Sequence, residues 1–130
     1  MTFFDSSVII DYLDGDDAVV AYVDEQPAPH LTSSICVYEV LAGEVFGSSP
    51  TDIAGARRAF GRVRSVDFTE SVAVEAAQLQ DDLLGHGTPL SPRDLFVAAT
   101  ARSLGERLVV SDSDFDTRGL SERMELTVLG

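Results

Sequence analysis

Apolar runs too short to be helices alternate, along the whole chain, with longer stretches patterned as helices. Residues 2–5, 30–32, 65–68 (SVDF), 108–110 (LVV) and 126–129 (LTVL) read as strands. Helical patterns fill 7–13, 18–25, 35–46, 50–63, 69–84 and 92–104. The clearest is 69–84, where Val72, Ala76, Leu79 and Leu83 recur at steps of three or four residues, the spacing of one helix face. Ser91, Pro92 and Gly105 punctuate the last helix as cap, first position and stop. Short strands joined through helices imply a parallel sheet covered on both faces. The expected class is α/β.

At 130 residues the chain reads as one domain, 1–130, large enough for a real core. It contains no linker-like, repeated or low-complexity stretch. No apolar run approaches the ~20 residues a membrane span needs, and no basic-then-apolar leader opens the sequence. A single cysteine, Cys36, leaves no internal disulfide and fits a reducing compartment. The cytoplasm is the expected location.

Acidic residues number 22 against 9 basic ones, a net charge of −13, and every basic residue is arginine. Such a surface repels nucleic acid over most of its area at low salt. In a saline cytoplasm, screening removes the self-repulsion, so acidity speaks to environment rather than to activity. Arg57, Arg58, Arg62 and Arg64 fall within eight positions. They read either as an RNA-backbone track or as counter-charge on an acidic surface.

Isolated carboxylates stand out where apolar segments end or begin. Asp5 stops the first strand of FFDSSVIIDYL, at the sheet edge where ligands bind in open α/β folds. The plain alternative is a helix cap at Ser6 or Ser7, with Asp5 favouring the helix dipole. Glu39 lies in ICVYEVLAG, with Ile35, Cys36, Ala42 and Gly43 at helical spacing; it reads as a site carboxylate or as a half-buried partner for an arginine. Asp94 follows Ser91 by three positions, so a capping-box role competes with a site role. Asp112, Asp114 and Asp116 follow the 108–110 strand. As an EF-hand loop counted from Asp112 they fail, because Thr117 and Arg123 stand where Gly and Glu are required. An aspartate-nucleophile phosphatase fits Asp112 and Asp114 but not Asp116, and remains a weaker alternative.

In a parallel sheet these acids can converge at one end. Two carboxylates ~4 Å apart repel by about 4 kcal/mol at an effective dielectric of 20, so a group of four needs a cation. No lysine exists, and Arg93 is the arginine nearest in sequence. A divalent ion is the natural occupant, and hard oxygen ligands select Mg²⁺ or Mn²⁺. Neutralising one acid is then expected to leave the metal-free fold intact or more stable.

Three motifs in order, FFDSSVIIDYL, TSSICVYEVLAG and TPLSPRDLFVAATARSLGERLVVSDSDF, make the chain resemble a PIN domain of the VapC toxin type. The resemblance runs the length of the chain and implies a three-layer PIN-like fold. It also implies a Mg²⁺- or Mn²⁺-dependent endoribonuclease, homodimeric and neutralised by a small antitoxin that covers the acidic cleft. It carries catalytic and metal-binding roles onto Asp5, Glu39, Asp94 and Asp112, with Glu39 or Asp94 as acceptor of the water's proton. Ser6 would hydrogen-bond the site and Ser7 would cap the helix. Ser111 stands where family members often carry Thr, and Asp114, beside Phe115, looks structural, which favours Asp112 as fourth ligand. A PIN-like module that binds a partner without catalysis is the rival reading, though all four acidic positions are filled.

Overall fold

All strand pairs run parallel, as the alternation of short strands with helices requires. A computed structural model describes all 130 residues, Met1–Gly130. The elements are β1 (Thr2–Phe4), α1 (Ser6–Leu13), α2 (Asp17–Glu25), β2 (His30–Ser33), α3 (Ser34–Val45), α4 (Ile53–Ala59) and β3 (Val63–Val66). They continue through α5 (Glu70–Gly85), α6 (Pro92–Ser103), β4 (Arg107–Val110), a single 3₁₀ turn (Ser113–Phe115), α7 (Arg118–Ser121) and β5 (Leu126–Val128).

The sheet order is β3-β2-β1-β4-β5. The chain lays β2 and β3 on one side of β1, then returns to place β4 and β5 on the other. Winding therefore reverses between β1 and β4. The crevice beyond the carboxyl ends of two such strands is where open parallel sheets bind ligands.

Strand pleat divides the core into two layers, since successive side chains face opposite ways. Phe3, Leu108 and Val110 pack with Leu79 and Leu83 of α5, Val97 and Ala98 of α6, Phe115 and Leu120. Phe4 and Val109 face the other way, onto Val8, Ile9, Val19, Val23, Val40 and Phe60. Helices thus cover both faces, giving the three-layer α/β arrangement. Helix α6 is buried almost all round because Ala98, Ala99 and Ala101 are small enough to admit close neighbours. Gly105, with φ of 67°, supplies the left-handed turn that ends it.

Two local expectations shift. Strand β3 covers 63–66 rather than 65–68, and α4 stops at Ala59 rather than running to 63. The guanidinium of Arg57 donates to the Phe60 and Val63 carbonyls, both at 3.0 Å, and lies 4.5 Å over the Phe60 ring. It closes the helix and starts the strand. The acidic stretch after β4 also holds a 3₁₀ turn and α7 rather than a plain loop. No helix is long and apolar enough to cross a membrane.

Candidate metal centre

Asp5 leaves β1 with its backbone N–H still bonded to the Val109 carbonyl at 3.0 Å, so the sheet itself aims its side chain into the β1–β4 crevice. It is also the N-cap of α1, accepting from the Ser7 amide at 3.2 Å. The sequence reading gave that cap to Ser7. Instead the Ser7 hydroxyl donates to Asp5 Oδ2 at 2.6 Å and accepts from the Ser111 amide at 3.0 Å. Asp has the shorter reach to its own helix's amides, which frees Ser7 to tie the end of β1 to the end of β4.

Glu39 reaches the same crevice from α3. Ser33 caps that helix directly at the end of β2, accepting from the Cys36 amide at 3.0 Å. The opening turns of α3 therefore face the end of β1. Ser6 Oγ donates to Glu39 Oε1 at 3.0 Å. Asp94 arrives from the start of α6, where Ser91 caps and Pro92 occupies the first turn. Its carboxylate does not serve a reciprocal capping box; Oδ1 accepts from Arg93 Nη1 at 2.9 Å. The amino ends of α1, α3 and α6 all approach these acids and contribute partial positive charge.

Asp112 begins the 3₁₀ turn after β4, and its Oδ1 accepts from the Asp114 amide at 2.8 Å. Ligand atoms of Asp94, Asp112 and Asp114 lie within 4.8 Å of one another, and so do those of Asp5, Cys36 and Glu39. The structure thus brings Asp112 and Asp114 alike to Asp94. The hydroxyl of Ser111, at the junction of β4 and this turn, is buried without a hydrogen-bond partner.

Arg93 joins the two groups. Its Nη2 forms an ion pair with Asp5 Oδ1 at 2.7 Å and donates to Ser6 Oγ at 2.7 Å. Its Nε donates to Glu39 Oε2 at 2.8 Å, and Nη2 also engages Glu39 Oε1, a bidentate pairing of the kind a planar guanidinium favours. Burial alone would lower the Arg93 pKa. The hydrogen bond to Glu39, the Asp5 charge and the hydrogen bond to Asp94 outweigh it and push the value further up. Burial, reinforced by the Asp5 charge, pushes the Cys36 thiol up; it stays neutral, with Sγ 3.7 Å from Asp5 Oδ1. Sequence reasoning placed neither Arg93 nor Cys36 in the site. The signals available were the lone arginine abutting a candidate acid and a cysteine one helical turn before Glu39.

The remaining arginines lie elsewhere. Arg57 is committed to the turn after α4. Arg58 and Arg62 line a cavity of about 520 Å³ with Phe4, Tyr12 and His30, which includes none of the clustered acids. Arg64 is exposed on β3, the edge strand.

No curated protein matches the chain. Among solved structures, DNA-bound VapBC from Salmonella typhimurium is similar at 20% identity and a TM-score of 0.81, over 98% of each chain. FitAcB from Neisseria gonorrhoeae is similar at 23% identity and 0.79, over 98% of this chain and 96% of that one. VapBC2 from Rickettsia felis, bound to a promoter DNA fragment, is similar at 15% identity and 0.80, over 99% and 98%. These share the fold. The family model for the PIN domain matches residues 2–119, which takes in every strand but the last and all the clustered acids, and the chain accordingly belongs to the PIN domain family.

Proposed function

We propose that the chain is a divalent-metal-dependent endoribonuclease, the toxin of a toxin–antitoxin pair. The observation that carries this reading is the convergence of Asp5, Glu39 and Asp94, from three separate elements, on the Arg93 guanidinium at the β1–β4 crevice. The donor set fits Mg²⁺ or Mn²⁺: it is carboxylate oxygen, the nearby thiol is held neutral, and the buried Ser111 hydroxyl lacks a protein partner. Asp5, Glu39, Asp94 and Asp112 would hold the ion. When bound, Mg²⁺ or Mn²⁺ supplies positive charge against the scissile phosphate and acidifies a water.

The protein's own groups do the rest. Asp5, 1% exposed and braced by Ser7, is the rigid anchor. Glu39 and Asp94 are the groups able to accept the water's proton, and the Glu39 side chain is the more open, at 31% exposure against 10%. Ser6 orients Glu39. With Arg57 tied down, an RNA-backbone track on this stretch rests on Arg58, Arg62 and Arg64, which are exposed.

VapBC and FitAB neighbours are toxin–antitoxin or DNA-bound assemblies by description, which supports a small antitoxin as partner here. The exposed apolar side chains Tyr38, Val45 and Phe46 on and just after α3 support a homodimer; the toxin–antitoxin reading carries the cytoplasm with it as the proposed location. The test is incubation of the purified chain with pooled cellular RNA in Mg²⁺, in Mn²⁺ and in chelator. Cleavage in either metal and none in chelator is expected. Intact RNA under all three conditions overturns the reading.

A further inference from the structure

The group best placed to control the site is its own arginine. We propose that Arg93 is a resident counter-ion that a divalent cation must displace, so that metal loading and release of the Arg93 side chain are one event. This rests on the metal-dependent reading above and goes beyond it by assigning a role to Arg93.

One guanidinium engages three of the four proposed ligands. It reaches Asp5 at 2.7 Å, Asp94 at 2.9 Å and both oxygens of Glu39, the Nε contact at 2.8 Å. All of those oxygens face a single planar group. A Mg²⁺ or Mn²⁺ ion approaches carboxylate oxygens to about 2.0–2.2 Å. Ligand oxygens of Asp5 and Glu39 lie within 4.8 Å of each other with Arg93 Nη2 against both, so an ion held between them would compete with that nitrogen for the same space, and two cations there repel strongly. Nor does the site need both at its centre. Three carboxylates carry −3; the guanidinium leaves a net −2, and a divalent ion in its place leaves −1.

The side chain has somewhere to go. Arg93 is 28% exposed, in the first turn of α6 beside solvent, whereas Asp5 is 1% exposed and fixed. Displacement requires only that the arginine swing outward about its own flexible stem; no backbone element moves. The arrangement explains how so many carboxylates coexist without metal: the chain carries its own cation, with the bidentate fork only arginine provides. Its cost is a weaker metal affinity than the same acids would show without it.

The test is calorimetric titration of Mn²⁺ into chelator-stripped wild type, Arg93→Gln, Arg93→Lys and Asp5→Asn. Arg93→Gln should bind Mn²⁺ at least about tenfold more tightly than wild type, because the competing charge is gone. Arg93→Lys should fall between them, and Asp5→Asn should lose binding. A wild-type measurement that needs no variant to fold runs alongside: the Arg93 Nε–H resonance followed during Mg²⁺ titration. It should move with the same midpoint as the binding heat. Equal or weaker Mn²⁺ affinity in Arg93→Gln, or an Nε–H signal unmoved at saturation, overturns the role of Arg93 while leaving metal binding intact. No binding by wild type or Arg93→Gln at millimolar Mn²⁺ overturns the metal reading, and this inference with it.

Discussion

Replacing Asp5 with asparagine isolates what the buried ion pair contributes. On the sequence, neutralising one of several clustered acids relieves repulsion and leaves the metal-free fold as stable or more so. The contacts of Asp5 predict the opposite sign. The Asp5 carboxylate, 1% exposed, forms an ion pair with Arg93 Nη2 at 2.7 Å through one oxygen and accepts from the Ser7 hydroxyl and amide at 2.6 and 3.2 Å on the other. Asparagine offers one acceptor oxygen and one donor amide, so either Arg93 or Ser7 meets a donor with a donor. Losing a hydrogen bond to a charged group costs about 1.5–3 kcal/mol, and a damaged cap adds roughly 1 kcal/mol. Relief of repulsion gives part of that back, but Arg93 already offsets part of the charge of Glu39 and Asp94. The net expectation is a loss of ~2–3 kcal/mol. At about 3 °C per kcal/mol for a domain of this size, Tm falls by roughly 6–9 °C. The assay is thermal and urea unfolding of wild type and Asp5→Asn in chelator, with matched m-values as the check that both unfold alike. A Tm unchanged or raised in the variant would refute the balance between Asp5 and Arg93.

Other expectations follow from the same contacts. Ser7→Ala removes the link between Asp5 and the Ser111 amide and should cost about 1–2 kcal/mol of stability, read by urea unfolding; a loss below a few tenths would show the link to be idle. Asp112→Asn should lower RNA cleavage by about 10–100-fold and Asp114→Asn by much less, measured on the same substrate; the reverse order makes Asp114 the fourth ligand. With a net charge of −13 and no lysine, the fold should melt about 5 °C or more higher in molar KCl than at low salt, because a Debye length near 3 Å removes self-repulsion. A flat or falling Tm in a calorimetric salt series would remove the case for a saline environment.

Local sequence signals made much of the fold legible. Phe3, Phe4 and the run from Leu108 to Val110 are fully apolar because both sheet faces are covered, and the 69–84 pattern survives as α5 with the same buried positions. Strand β3 was less visible because it is an edge strand: Arg64 and Ser65 are exposed and only Val63 and Val66 are half-buried, so little periodicity remains to read. Helix α4 has no buried residue to mark its length. Asp5, Glu39 and Asp94 were legible as lone carboxylates in apolar or capping contexts, and the structure gathers them. An arginine partner for Glu39 was one of the readings, but that Arg93 sits among all three was not legible. Arg93 meets Glu39 across 54 residues and Ser6 across 87, and contacts at that separation leave no trace in spacing. The strand order that sets β1, which leads into Asp5, beside β4, which leads into Asp112, is likewise a property of the assembled sheet.

A crystal structure of the chain grown with Mn²⁺, with the ion located by its anomalous scattering, tests the central claim most directly. The account predicts a peak about 2.0–2.2 Å from carboxylate oxygens of Asp5, Glu39 and Asp94, with the Arg93 guanidinium swung out of the cluster. A saturating Mn²⁺ soak that leaves Arg93 on all three acids and no peak among them would contradict it.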